Sequence, residues 1–198
     1  GIPVDGNIGV RFVHTGLDAN GSISYPSAAG LQNSDSLTPQ QLALFNGQAL
    51  PINGSGNYHN VLPSLNLRFK LTNDLQLRLA ASKAITRPNI SDLNSYMKIG
   101  ASYSSAGAGQ QATFAGFTAS TGGNPALKPM EANQYDMALE WYFGPTSSLT
   151  ATVFKKDIRN YVSNEVHVET IDGQPVAVSG PTNAGNGTVK GAEVSYSQ

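Results

Sequence analysis

Residues 61–85 read V-L-P-S-L-N-L-R-F-K-L-T-N-D-L-Q-L-R-L-A-A-S-K-A-I, and their alternation decides the fold. Val61, Leu65, Leu67, Phe69 and Leu71 take every second position, with Ser64, Asn66, Arg68 and Lys70 between them. After Thr72-Asn73-Asp74 the alternation resumes, with Leu75, Leu77, Leu79 and Ala81 set against Gln76, Arg78, Ala80 and Ser82. Side chains of a strand point to opposite faces with period two, so each limb is a strand with one apolar and one wet face. The polar triplet is a tight connection between antiparallel neighbours. Each limb is near the roughly 9–11 residues that cross a bilayer as a tilted strand. A soluble β-sandwich also alternates, because each sheet buries one face against the other. A soluble β-rich binding or adhesion module is therefore the rival reading.

Working outward, Asn7–Thr15 alternates in the same way, as do Glu131–Phe143, Ser148–Arg159 and Thr188–Ser197. Six strands are expected. Their connections alternate long and short: Gly16–Asn57, Thr72–Asp74, Arg87–Met130, Gly144–Ser147 and Asn160–Asn186. An up-and-down sheet with these connections has every short turn at one end and every long loop at the other. That asymmetry belongs to membrane barrels, whereas sandwiches scatter loop lengths. Aromatics lie near strand ends, Tyr58 and Tyr161 by the long loops and Phe69, Trp141 and Phe143 by the short turns, as interface girdles do. Within the first long segment, Leu37–Phe45 predicts a short helix capped by Thr38 with Pro39 at its first position. In the third, Asp172-Gly173 predicts a type I′ hairpin.

Composition closes other routes. A net charge of −1 lacks the basic excess that nucleic acid requires, so no nucleic-acid partner is expected. The absence of Cys removes disulfides and thiolate metal sites. His14, His59 and His167 stand apart in sequence, without a second ligand at metal spacing, so no metal and no cofactor are expected. No nucleophile elbow, paired-carboxylate arrangement or phosphate-cradling loop is present, so no catalytic residue is assigned and an enzyme is not expected. No apolar run reaches helix-spanning length, which leaves a barrel as the way across a membrane. The abrupt ends at Gly1-Ile2-Pro3 and Ser197-Gln198 suggest an excerpt.

Four stretches carry a resemblance: A-S-K-A-I-T-R-P-N-I-S-D-L (Ala81–Leu93), G-N-P-A-L-K-P-M-E-A-N-Q-Y-D-M-A-L-E-W-Y-F (Gly123–Phe143), L-P-S-L-N-L-R-F (Leu62–Phe69) and F-K-K-D-I-R-N-Y (Phe154–Tyr161). In this order, with strands between, they resemble TonB-dependent outer-membrane receptors, and are most similar to the proteobacterial branch of the Xanthomonas and Caulobacter receptors. The resemblance implies a 22-stranded transmembrane β-barrel in the bacterial cell outer membrane. Residues 1–198 would be about six strands of that single barrel domain, with no plug domain in this chain. It further implies outer-membrane lipid, a plug and the TonB system as partners, and active import of a scarce small-molecule ligand, a carbohydrate or an iron chelate.

Three expectations about placement follow from parity. Leu67, Phe69, Leu77, Leu79, Met137, Leu139, Ala151 and Val153 share one face, and, if the chain is a fragment, the sheet is open at its first and sixth strands. Arg68 and Arg78 fall opposite one another, so acidic relief is needed on the wet face. Arg68, Arg78, Asp136 and Glu140 are therefore read as a lumen-facing charge cluster, with Arg78 close to Glu140. Tyr96, Tyr103, Phe114 and Phe117 of the middle loop are candidate ligand contacts, because aromatic faces stack on sugar rings. The bland alternative for them is a small core within a long loop. The low-complexity run around Ser102–Gln111 is assigned to the same capture loop.

Overall fold

The computed structural model describes residues 1–31, 34, 37–104, 107 and 112–198. The strands are β1 (Val4–Ser24), β2 (Ala49–Lys70), β3 (Leu75–Thr86), β4 (Met97–Ser104), β5 (Thr113–Thr121), β6 (Met130–Tyr142), β7 (Ser148–Ile171) and β8 (Gln174–Ser197). One short helix, α1 (Pro39–Ala43), lies between β1 and β2. Their order around the sheet is β1-β2-β3-β6-β7-β8-β5-β4. The six alternating segments therefore pair antiparallel in chain order, as expected. The sheet is not open throughout, however. The β4–β5 hairpin, inserted in the middle loop, closes the ring at the long-loop end through two short parallel ladders. Ile23 and Ser24 pair with Met97 and Lys98, and Phe117–Ser120 pair with Val176–Ser179. Below them, among the described residues, β1 pairs only with β2, and β8 only with β7.

The register confirms the shared face. Leu67, Leu79, Met137, Val153 and Ala192 lie side by side across five strands, and Phe69, Leu77, Leu139, Ala151 and Val194 form the next row. These side chains point away from the barrel, and Met137, Leu139, Val153 and Val194 are exposed. Such exposure is costly in water over so wide a patch and is suited to lipid. At the short-turn end Trp141, Phe143 and Tyr196 gather, their ring centroids 4.9 Å and 6.2 Å apart in sequence. The upper rim differs from expectation. Tyr58 pairs with Thr15 and shares its face with the inward Gly54 and Gly56, so Tyr135 marks the upper edge of the outward band instead.

Two long segments are also shorter as loops than the sequence suggests. β1 and β2 run on to Ser24 and from Ala49, and β7 and β8 continue as one ladder to the Asp172-Gly173 turn. Both turn residues have positive φ, 48° and 78°, as a type I′ turn requires. The ladder is interrupted near Tyr161, where Asn160 takes a φ of 58°. Asn tolerates this left-handed conformation better than most residues, and the resulting bulge turns the outer hairpin. The cap on α1 is as the sequence predicts: Thr38 accepts from the Gln41 N–H, and the Gln41 side chain accepts from the Thr38 N–H.

The buried core lies at this long-loop end rather than within the alternating wall. Ile23, Leu44, Phe45, Ile99, Phe117, Val176 and Val178 pack there. Ile99, Val176 and Val178 are completely enclosed, each contributing about 1.5–3 kcal/mol by burial. Tyr25 joins this core and donates a 2.8 Å hydrogen bond to Asp172 at the β7–β8 tip. Burial first, and then that bond, push its hydroxyl up to about 12, so it remains a donor at any ordinary pH.

Candidate functional site

Two polar regions face the interior. The first lies near the short turns. Asp5, Arg68, Arg78, Ala138, Thr152 and Glu193 form one row across the six strands. Arg68 and Arg78 are opposite one another, and each finds a separate carboxylate. Arg68 donates to both oxygens of Asp5, at 2.9 and 2.7 Å. Arg78 Nε lies 2.9 Å from Glu140 Oε1, so the expected Arg78–Glu140 proximity is present. Glu140 also accepts from Tyr142 at 2.8 Å and from Gln76. Asp136 does not join the cluster: it is exposed and makes no ion pair among the described residues. It lies four residues from Glu140 on the same face, opposite Ala80 rather than an arginine. Asp5, absent from the sequence-based assignment, takes its place because β1 pairs with β2 in the register that sets Asp5 against Arg68. Glu140→Ala is expected to destabilise the barrel by roughly 0.5–1 kcal/mol, the scale of a partly hydrated pair. Denaturant unfolding in detergent measures it, and a loss above about 3 kcal/mol would show a dry pair instead.

The second region is a cavity of 530 Å³ at the outer mouth. Its floor is built by the middle loop folding inward onto the barrel wall. Three wall glycines make that approach possible. A Cβ on Gly54 would overlap the Pro125 ring and Ser95, one on Gly56 would overlap the Pro125 carbonyl, and one on Gly21 would overlap the Ser95 carbonyl. Side-chain amides then fasten the G-N-P-A-L-K-P run to β7 and β8. Asn124 donates to the Pro181 carbonyl at 3.2 Å, and Asn183 bonds Lys128 in both directions, at 2.8 and 2.9 Å. Asn160 donates to the Pro129 carbonyl at 3.4 Å. The motif is thus an anchor, and Leu127 within it is buried.

The cavity walls carry its chemistry. Glu165, His167 and Glu169 alternate along β7 on the face that Val176, Val178 and Gly180 occupy in β8. His167 Nε2 and Glu169 Oε1 are 2.7 Å apart, the direction of donation depending on the imidazole tautomer. Across from them stands Tyr96, 52% exposed, with its backbone held by Asn94 Oδ1 at 3.1 Å and by Gly122 at 2.8 Å. Thr182 lines the same space, with its hydroxyl shielded and without a hydrogen-bond partner among the described residues. Neither lysine nor arginine lines the cavity among the described residues. Among the described residues no group of three or more His, Asp or Glu is placed to hold a metal ion.

The four aromatic candidates of the middle loop part company. Tyr96 reaches the cavity. Phe117 is buried, and Phe114 packs between it and Phe45, with centroids 5.0 and 6.3 Å away. Tyr103 meets Phe114 edge to face at 6.2 Å. Phe114 and Phe117 are therefore corrected to core residues, their hydrophobic faces satisfied by the hairpin's own packing. Of the low-complexity run, residues 105, 106 and 108–111 lie outside the described residues. Glu165, His167 and Glu169 were not assigned from sequence, although E-V-H-V-E already shows the alternation that puts all three on one face. His14 and His59 are likewise brought together, stacked at 4.4 Å on the outward face just above the apolar band.

Comparison with known proteins agrees with this architecture. The family described as "TonB dependent receptor-like, beta-barrel" matches residues 2–198. No curated protein matches. Among solved structures, the ferric enterobactin receptor PfeA of Pseudomonas aeruginosa, in complex with BCV-L6, is 19% identical with a TM-score of 0.52, covering 98% of this chain and 30% of that one. The hemophore receptor HasR of Serratia marcescens is 14% identical with a TM-score of 0.52, covering 98% and 29%. The siderophore receptor PirA of Acinetobacter baumannii is 17% identical with a TM-score of 0.51, covering 75% and 22%. At these identities the likeness is one of fold, and the chain spans less than a third of each of these receptors.

Proposed function

Because this chain belongs to the TonB-dependent receptor β-barrel family, whose barrels are proteins of the bacterial outer membrane, we propose that it is the part of an active transporter that captures a ligand at the outer mouth. The intact receptor would add a plug domain within the barrel, an energy supply through TonB, and the remaining strands that pair with β1 and β8. The role is transport of a bound solute rather than its chemical conversion.

The observation that carries the reading is the cavity lining. Among the described residues, two carboxylates, an imidazole and an exposed tyrosine surround a space that no lysine or arginine lines. Carboxylates accept hydrogen bonds from hydroxyl groups, and an aromatic face packs on the apolar side of a sugar ring. The same carboxylates repel a multiply anionic iron chelate. A neutral, hydroxyl-rich ligand, an oligosaccharide, is the class that fits. The siderophore and hemophore receptors share the fold, which leaves the choice of ligand to the site.

Calorimetry of the intact receptor in detergent tests this, with neutral oligosaccharides titrated against a tris-catecholate ferric chelate. Oligosaccharide binding is expected, weakened about tenfold by Tyr96→Ala and by the pair Glu165→Gln and Glu169→Gln, each removing a contact of about 1–2 kcal/mol. Tight chelate binding with no oligosaccharide bound would overturn the assignment.

A further inference from the structure

The outward face holds a second cavity, a groove of 670 Å³ over Leu79, Met137 and Val153. Tyr135, Lys155 and Lys190 form its upper rim. Lys155 and Lys190 are directly opposed across β7 and β8, one row above the Val153–Ala192 pair of the apolar band. Like charges placed directly opposite destabilise a sheet unless something negative relieves them. Protein provides only part of that relief. Asp157 meets Lys155 at 2.7 Å, with its other oxygen accepting from Thr188 at 2.8 Å. Lys190 has no ion-pair partner among the described residues, and the exposed Arg159 lies farther up the same face, opposite Glu131, which is itself paired with Lys83. An apolar slot capped by excess positive charge sits where a bilayer changes from hydrocarbon to headgroup.

We infer that this groove seats one phosphorylated lipid of the surrounding membrane, with an acyl chain along Leu79, Met137 and Val153 and its phosphate held by Lys155 and Lys190. The inference rests on the outward face being the lipid face. Lysine stems lie along apolar surface while their ammonium groups reach up to the phosphate level, and each such cation favours an anionic headgroup. Tyr135 adds an amphipathic ring at the same level. The site is separate from the mouth cavity, since it opens to the opposite side of the wall.

The test uses the intact receptor purified in a non-ionic detergent and offered equimolar phosphatidylcholine and phosphatidic acid with matched chains. Native mass spectrometry counts the lipid retained. One phosphatidic acid is expected in preference to phosphatidylcholine, and excess inorganic phosphate should not displace it. The pair K155Q and K190Q is expected to cut the preference by about tenfold. K190Q alone, which keeps the Lys155–Asp157 pair, should show a smaller loss in the least disturbed fold. K83Q, whose lysine is paired with Glu131 at 2.8 Å, should leave the preference unchanged. Equal retention of the two lipids, an unchanged preference in the double variant, or displacement by inorganic phosphate would each overturn the lipid seat. Recovery of the receptor in the detergent-extracted membrane fraction is scored separately, so a failed seat in a membrane-embedded barrel is distinguishable from a failed barrel.

Discussion

Gly54→Val is expected to free the middle loop from the barrel wall and abolish most ligand capture while the barrel still assembles. The glycine faces inward on β2, and any Cβ there overlaps the Pro125 ring and Ser95. Valine places three carbons where the loop rests, and overpacking of this kind costs about 1–3 kcal/mol. The cost falls on docking because the loop is joined to the wall by a few amide bonds, whereas β2 at Gly54 lies within a continuous 21-pair ladder with β1. Tyr96 and the Gly123–Pro125 segment line the mouth cavity together, so displacing one disturbs the other. Affinity should fall by about one to two orders of magnitude, and protease should cut the middle loop faster. Gly187→Val is the control, since a Cβ at Gly187 meets nothing within 4 Å. Native-like affinity and protease resistance in Gly54→Val would show that the wall glycines do not position the loop.

Leu139→Arg is expected to destabilise the barrel in a bilayer by about 2–4 kcal/mol, the cost of a cation near the midplane of a lipid-facing strand. Leu139 lies between Trp141 below and Tyr135 above, in the row shared by Leu77 and Ala151. Trp141 of the lower girdle is only two residues away, so a snorkelling guanidinium recovers part of the cost and the effect should fall towards the lower end of that range. Asp136→Asn, on the other face of the same strand and without an ion pair, should change stability by less than about 0.5 kcal/mol. Equilibrium unfolding from vesicles measures both. Equal, small effects would mean that the apolar face does not meet lipid, which is the prediction of the soluble-module reading.

The wall of the barrel was legible because each membrane-crossing strand must keep its parity. Leu67, Leu79, Met137 and Val153 share a row for the reason that their sequences alternate. Local turn chemistry was equally readable at Thr38 and at Asp172-Gly173. What stayed hidden lies beyond the membrane, where lipid no longer imposes the pattern. The β7–β8 ladder resumes beyond the bulge at Asn160, where polar side chains such as Asn160 and Asn183 read as loop. The β4–β5 hairpin is rich in Ala, Ser and Gly and carries a register shift at Ser102/Tyr103, which breaks the phase that would reveal it. The mouth site suffered from the same cause. Its residues come from β2, β7, β8 and the middle loop, and only the folding of the distant middle loop against β2 and the β7–β8 hairpin brings Tyr96 to the same space as Glu165 and His167.

The inserted hairpin has a kinetic consequence. β3 pairs with β6 along their length, but the chain must first close over residues 87–129. Closing a loop that long costs about 2 kcal/mol more entropy than closing the turn at 71–74. β4 and β5 pair locally, over 97–104 and 113–121, so once they zip together only the short spans on either side need to be searched. The hairpin is then a shortcut for the nucleus that joins β1–β3 to β6–β8, and weakening it should slow insertion into the membrane more than it loosens the finished wall.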